Sequence, residues 1–255
     1  MSNTPWFRWL PLAFALAGCG VSQDDSADDS IVGEIVHGTA DHGRHPAVVA
    51  LRIGNDALCT GTLVSPRAVL TARHCVSFTS EVVRCDQPGR QVFRDRDPRS
   101  ITVVVGDDVR TGTPVARGER LLTLPSNRLC DADVAVLVLD RPVRGITPLA
   151  VARIGRVAPG DDVSIAGFGR RGDSARAGVG VRFFRERVAV LAGSATEFVT
   201  AAGSCSGDSG GPALDRATGR VVGVVSRGGT RCAAADSEGV WSQAALAGPL
   251  LDAMP

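Results

Sequence analysis

The chain has 255 residues, of which 44% are hydrophobic and 22% charged, and its formal net charge is +1. This length suffices for one large domain or two packed halves with real cores, and no internal apolar stretch is long enough to span a bilayer. The near-zero charge excludes a global electrostatic surface for nucleic acids or anionic membranes, so we expect a soluble globular protein.

The amino-terminal residues predict export. Residues 6–18 combine one Arg, an apolar run and small residues at the end, which is typical of a signal peptide over 1–18. The run closes with Leu16-Ala17-Gly18-Cys19, which resembles the bacterial lipobox, and this predicts a lipid anchor at Cys19. A plain secretory signal is the alternative, because short motifs give false matches. Residues 22–30 are small and acidic, so 19–34 is interpreted as a flexible tether or propeptide.

The cysteine count supports this division. The chain has 7 Cys, an odd number, whereas exported proteins tend to pair their thiols in an oxidising compartment. Setting Cys19 aside leaves an even set that can form disulfides.

From Ala47 onward the chain alternates short Val-rich runs with Gly, Pro, Asp and Arg, which predicts strands separated by turns. The runs are 47–53, 60–71, 101–105, 134–139, 162–168, 198–201, 221–226 and 239–241. The best helical candidate is 243–252, and Gly248-Pro249 is expected to interrupt it. The pattern predicts an all-β protein, either a sandwich or barrels.

The strongest chemical motif is Gly207-Asp208-Ser209-Gly210-Gly211-Pro212. Glycines around a serine allow a tight turn that exposes the hydroxyl and directs backbone N–H groups to one point. The motif also fits the nucleophile elbow of an α/β-hydrolase esterase, in which the catalytic histidine follows the serine. All 4 His precede Ser209, which opposes that alternative.

A base and an orienting carboxylate have candidates upstream. His74 follows a strand-like run and stands beside Cys75, which a disulfide can hold rigidly. Asp133 stands immediately before the apolar run 134–139, and Asp131 is the fallback. The other histidines, His37, His42 and His45, lack metal-ligand spacing and are interpreted as solvated loop residues. We predict no metal and no cofactor.

In the order His, Asp, Ser, these motifs resemble the chymotrypsin family of serine proteases over about residues 35–251. The resemblance implies two packed six-stranded antiparallel β-barrels, about 35–145 and 146–255, with a short C-terminal helix. It implies a triad of His74, Asp133 and Ser209 at the seam, with the N–H groups of Gly207 and Ser209 as the oxyanion hole. Ser226 resembles the serine that contacts the triad aspartate, and 165–169 resembles a buried segment of the second barrel.

The resemblance also implies two disulfides, Cys59 with Cys75 and Cys205 with Cys232. We predict that the remaining Cys85 and Cys130 pair, from parity and because Cys130 lies near Asp133 in the chain.

In this family the floor of the primary specificity pocket lies six residues before the nucleophile, here at Gly203, followed by Ser204. No carboxylate stands there, which argues against a preference for Arg or Lys. Gly228 and Gly239 match the wall positions, so we predict cleavage after apolar residues. The departures from the family pattern are Arg227, where an aromatic is usual, and the nearby Asp236 and Glu238.

Asp208 resembles the family aspartate that pairs with an amino terminus freed by activation. Ile35 is the preferred new terminus, after cleavage at Glu34, and Ile31 is the competing start. That cut would separate the protease from Cys19, although an active uncleaved chain is an alternative.

The prediction is therefore an exported serine endopeptidase acting on proteins or peptides, located in a bacterial envelope or released from it. We expect a monomer with no nucleic-acid partner. The alternative is a catalytically silent homologue that binds a partner, because a fold alone does not imply activity.

Overall fold

The computed structural model describes residue 1 and residues 38–254, apart from 55–56, 174–177, 202, 229–230, 233 and 235–236. The predicted signal peptide, Cys19, Ile35, His37 and Asp236 therefore lie outside the described residues. All described residues except Met1 belong to one compact unit, Val32–Pro255. Among these described ranges, no helix has the length and apolar character needed to cross a membrane.

The described residues form strands and one α-helix, which we number along the chain. The strands are β1 (Thr39–Ala40), β2 (Val48–Ile53), β3 (Ala57–Ser65), β4 (Ala68–Thr71), β5 (Ser77–Thr79), β6 (Val92–Asp95), β7 (Ile101–Val105), β8 (Thr113–Thr123), β9 (Ala135–Leu139), β10 (Asp162–Gly167), β11 (Phe183–Gly193), β12 (Glu197–Ala201), β13 (Pro212–Asp215), β14 (Val221–Gly228) and β15 (Glu238–Gln243). The helix is α1 (Gly248–Asp252), and it follows a 3₁₀ helix over Ala244–Ala247.

Two closed antiparallel barrels account for most of these strands. The first has the order β2-β3-β4-β9-β8-β7. The second has the order β11-β10-β13-β14-β15-β12, and pairing of β11 with β12 closes it. Closure removes exposed strand edges, which an open sheet of this kind would leave unpaired. The expected fold of two six-stranded barrels with a short C-terminal helix is confirmed.

Each end of the described unit packs on the barrel farther from it in sequence. β1 pairs with β11 of the second barrel, although it precedes the first. Leu250 and Leu251 of α1 join the apolar core that contains the first barrel. The predicted helical segment 243–252 is divided at Gly248-Pro249, as expected: the 3₁₀ helix ends at Ala247, and α1 begins at Gly248 with proline in its first turn.

The two barrels meet at a small apolar cluster. It is formed by Val48, Ala50 and Val104 of the first barrel with Ala166 and Phe168 of the second. The side chains of Val48, Ala50 and Phe168 are fully buried. This seam fixes the relative position of the segments that carry the candidate site.

Candidate active site

His74 lies on a short 3₁₀ turn, Arg73–Cys75, that follows directly after β4. The Cys59–Cys75 disulfide ties this turn back to β3. The His74 side chain remains 22% exposed, so part of the imidazole is accessible. The turn therefore presents a histidine on a rigid support.

Asp133 lies just before β9 and is 1% exposed. Its Oδ2 lies 2.8 Å from His74 Nδ1, and its Oδ1 accepts a 2.9 Å hydrogen bond from the His74 backbone N–H. Ser226 Oγ donates to Oδ2 at 2.7 Å. Burial alone raises the pKa of Asp133, but the charge and hydrogen bonds of His74 and Ser226 lower it below its ordinary value. The carboxylate is thus held ionised against the imidazole.

The fallback residue Asp131 does not take this position. It is exposed, and Oδ1 accepts a hydrogen bond from Thr196 Oγ1. Its backbone has φ 66°, in the left-handed region. The structure therefore brings Asp133, and not Asp131, to His74.

Ser209 lies in a glycine turn between Cys205 and β13. The turn needs glycine at two points, because Gly207 has φ 101° and Gly210 has φ 81°. Thr60 of β3 holds the turn from the first barrel: its N–H donates to Ser209 O and its hydroxyl to Gly207 O, both at 2.8 Å. Ser209 O also lies 3.5 Å from Cys75 Sγ, next to His74 in the chain.

The turn leaves two backbone donors unused. Within the described ranges, the N–H groups of Gly207 and Ser209 donate to no protein acceptor, whereas Asp208, Gly210 and Gly211 all do. An oxyanion site requires N–H donors beside the nucleophile that are free of protein acceptors, and these two groups meet that condition. Among the described residues no hydrogen bond joins Ser209 Oγ to His74. Contacts of this kind are often long in substrate-free enzymes.

Asp208 points away from this site, into the second barrel. Its carboxylate accepts hydrogen bonds from the N–H groups of Gly169, at 2.7 Å, and Cys205, at 2.8 Å. A Cβ on Gly169 would lie 2.5 Å from the carboxylate, which requires glycine there. Burial raises the pKa of Asp208 to about 7, against the lowering effect of these two donors. Among the described residues no cation pairs with Asp208, and Ile35 lies outside them.

Three of the predicted pocket residues, Ser204, Gly228 and Gly239, lie together at the ends of β14 and β15. Gly228 pairs with Gly239 across the two strands, and Ser204 Oγ lies 3.1 Å from where a Cβ on Gly239 would be. The nearest side chains to a Cβ on Gly203 are those of Ile165 and Val188, which are apolar. A disulfide joins Cys205, the residue after Ser204, to Cys232.

Arg227, the departure from the family pattern, is held by a partner that the sequence analysis did not identify. Its guanidinium makes a bidentate pair with Glu197, with N–O distances of 2.6 and 2.7 Å. The hydrogen bonds and charge of Glu197 raise the pKa of Arg227. β12 and β14 are separated by β15 in the barrel, so nothing in the local sequence pattern signals this pair.

A buried ion network behind the seam was also missed. Arg182 is 1% exposed, and it donates to Asp41 Oδ2 at 2.8 Å and to Val48 O at 2.9 Å, with a further ion pair to Asp107. His45 bonds the other Asp41 oxygen and stacks on Phe184. The interpretation of His45 as a solvated loop residue is therefore wrong, whereas His42 is exposed.

The third disulfide joins Cys85 to Cys130 and lies beside the β5–β6 hairpin. Among the described residues one group combines His and Cys at metal-binding distance, namely Cys59, His74 and Cys75. Both of its sulfurs are in a disulfide, so they supply no thiolate ligand.

Comparison with known proteins shows which family this chain is similar to. Residues 35–246 match the family model described as Trypsin. A serine protease of Anopheles gambiae, SP24D, is 32% identical over 78% of this chain and 73% of its own length. The cercarial protease of Schistosoma mansoni is 30% identical over 73% of this chain and 78% of its own length. A glucanase inhibitor protein of Phytophthora infestans is 28% identical over 85% of this chain and 87% of its own. With the fold of two barrels and a family match that spans most of its length, the chain belongs to the trypsin family of serine proteases and their homologues.

Proposed function

We propose that the protein is a serine endopeptidase that works through an acyl-enzyme on Ser209. The observation that carries the proposal is the 2.8 Å contact between His74 Nδ1 and the buried Asp133 carboxylate, beside the Ser209 turn. An ionised carboxylate accepts but does not donate, so the proton lies on Nδ1 and the Nε2 lone pair is available as a base.

The chemistry follows from these positions. Ser209 Oγ attacks the scissile carbonyl carbon while its proton passes to His74 Nε2, and the Gly207 and Ser209 N–H groups hold the oxyanion. His74 then gives that proton to the departing amine as the C–N bond breaks. A water molecule attacks the resulting ester in the same way and frees Ser209.

Labelling tests the nucleophile directly. An organophosphonate should add to one serine of the folded protein, identified as Ser209 by peptide mapping, and Ser209→Ala should abolish both the label and peptide cleavage. Labelling that persists in Ser209→Ala would contradict the assignment.

The proposed specificity is for apolar residues before the scissile bond. It is supported by the absence of an acidic side chain at Gly203 and Ser204. Matched peptides that differ only at that residue, carrying Phe, Leu or Arg, provide the test. Preferred cleavage of the Arg peptide would refute the specificity while leaving the activity intact.

The proposal extends to export and activation. Three disulfides support an oxidising compartment. We further propose that the signal peptide is cleaved and that Cys19 is acylated. A later cut after Glu34 then lets Ile35 pair with Asp208. Amino-terminal sequencing of the active form should begin at Ile35, and active protein that is still acylated would contradict release from the anchor.

The second candidate is a homologue that binds a partner without catalysis. It is favoured by the relative named as a glucanase inhibitor and by the lack of a hydrogen bond between Ser209 Oγ and His74 in the described residues. Folded protein cut after Glu34 that still resists the organophosphonate at neutral and mildly alkaline pH would support this candidate over the protease.

A further inference from the structure

A cavity of about 360 Å³ lies beside His74 and shares no lining residue with the predicted primary pocket. It is lined by both catalytic candidates of the first barrel, His74 and Asp133, and by Ser226 and Arg227 of β14. The opposite wall comes from the β5–β6 hairpin and the chain after it, including Phe78, Glu81 and Arg96. The hairpin is tied down by the Cys85–Cys130 disulfide.

The position of the cavity defines which substrate residue reaches it. Gly228 borders the primary pocket, and Arg227 is the preceding residue on the same strand. Side chains of an extended peptide alternate in direction. When the residue before the scissile bond enters the primary pocket, the residue before that one points to the other side, towards His74 and the cavity.

The cavity holds one cation that the protein leaves without a carboxylate partner. Arg227 is already paired with Glu197, so its charge is balanced. The Arg96 guanidinium instead lies 4.3 Å from the centre of the Phe78 ring, a cation–π contact. Its Nε is buried and, in the described part of the chain, makes no hydrogen bond.

Among the described residues, no acidic group that lines the cavity pairs with the Arg96 guanidinium. Asp133 is committed to His74 and Ser226. Glu81 lines the same cavity, but it is exposed and makes no ion pair with Arg96 within the described residues. An exposed carboxylate is screened by water and salt, whereas a half-buried guanidinium is screened less.

We propose that Arg96 and Phe78 form a recognition site for an acidic side chain, Glu or Asp, located two residues before the scissile bond of the substrate. This inference rests on the proposed peptidase activity and names part of its substrate class. The carboxylate pairs with the Arg96 N–H groups, which are fixed donors, and its methylenes lie against Phe78.

The test uses peptides that are identical except for Glu, Gln or Arg at that position. We expect kcat/KM to be about tenfold higher for Glu than for the isosteric Gln, since charge-assisted hydrogen bonds are about twice as strong as neutral ones. The ratio should fall towards one in Arg96→Gln and at high salt. Arg94→Gln is the matched control, because Arg94 also stacks on Phe78 but does not line the cavity, and it should keep the ratio.

A binding measurement separates this inference from the proposed activity. Ser209→Ala should bind the Glu peptide about tenfold more tightly than the Gln peptide, whether or not the parent protein cleaves either. Equal affinities, tighter binding of Gln or Arg, or an unchanged Glu-to-Gln ratio in Arg96→Gln would overturn the recognition site. Absence of cleavage together with the tenfold binding difference would overturn the peptidase and keep the site.

Discussion

Ser226 Oγ donates a 2.7 Å hydrogen bond to Asp133 Oδ2, the same oxygen that contacts His74 Nδ1. The second barrel thus holds the carboxylate that orients a histidine of the first. Ser226→Ala should lower kcat/KM about tenfold, because Asp133 keeps its two contacts with His74 but loses one donor. Asp133→Asn should lower it about 10⁴-fold, since an amide favours the wrong imidazole tautomer. Equal losses in the two variants would show that Ser226 does more than support Asp133.

The pH dependence of cleavage should report His74. Burial lowers the pKa of this imidazole, but the charge and hydrogen bond of Asp133 raise it by more, to above its ordinary value of 6.5. The base must be neutral, so kcat/KM should rise with pH through a midpoint above 6.5. In Asp133→Asn the midpoint should move to lower pH. A midpoint that does not move would contradict control by Asp133.

Asp208 should make stability depend on pH in the uncleaved chain. Burial raises its pKa from 3.8 to about 7, so the fold favours the protonated form. The stabilisation is complete below pH 3.8 and is lost as pH rises through about 7. The free energy of unfolding should therefore fall by up to about 4 kcal/mol between pH 4 and 8, as measured by denaturant titration.

Asp208→Asn is the control for that titration. Because an amide does not ionise, the fall in the free energy of unfolding between pH 4 and 8 that Asp208 causes should vanish in this variant. A chain cut after Glu34 should also lose it, since an ammonium partner favours the ionised carboxylate. A cut chain whose free energy of unfolding still falls by the same amount between pH 4 and 8 would refute the pairing of Ile35 with Asp208.

Two glycines offer a matched test of the nucleophile turn. A Cβ on Gly210, which has φ 81°, would lie 2.4 Å from the Thr60 backbone oxygen and 2.1 Å from Thr71 Oγ1. Gly210→Ala should displace Ser209 and lower kcat/KM at least about 100-fold. Gly219 has φ 67°, but no atom lies within 4 Å of its Cβ position. Gly219→Ala should therefore lower the free energy of unfolding by about 1 kcal/mol and leave kcat/KM unchanged. Similar activity in both variants would argue against the steric explanation.

The buried Arg182 network predicts a large effect on stability. Arg182→Met leaves the Asp41 carboxylate, which is 0% exposed, without its guanidinium, and should lower the free energy of unfolding by about 3–5 kcal/mol. Arg187→Met is the control, since Arg187 is 66% exposed and 3.4 Å from Asp162, and should change it by under about 1 kcal/mol. The double variant Arg182→Met, Asp41→Asn should recover part of the loss.

The sequence pattern predicted strands where Val-rich runs are buried on both sides, as in β9, which is buried throughout. It missed β8 and β11, because their outward faces carry Arg and Glu that interrupt the apolar runs. It also treated β3 and β4 as one run, although a turn at Pro66 and Arg67 separates them.

At the candidate site, too, local features could be predicted from the sequence and long-range pairs could not. The glycine turn and the order of His74, Asp133 and Ser209 are local or sequential signals, so the sequence alone could propose these residues as a triad. Pairs such as Arg227 with Glu197 and Arg182 with Asp41 join residues 30 and 141 positions apart. Their partners depend on barrel register, which one sequence does not reveal.

The pairing of β1 with β11 limits how far a freed amino terminus can travel. Thr39 is fixed opposite Phe184, so an amine freed at Ile35 would be four residues from a fixed point and could reach at most about 14 Å from it. An amine freed at Ile31 would have twice that reach and a roughly eightfold larger accessible volume. The shorter tether would give the higher effective concentration at any docking point within its reach, so anchoring at Thr39 would favour the proposed insertion of Ile35 over that of Ile31.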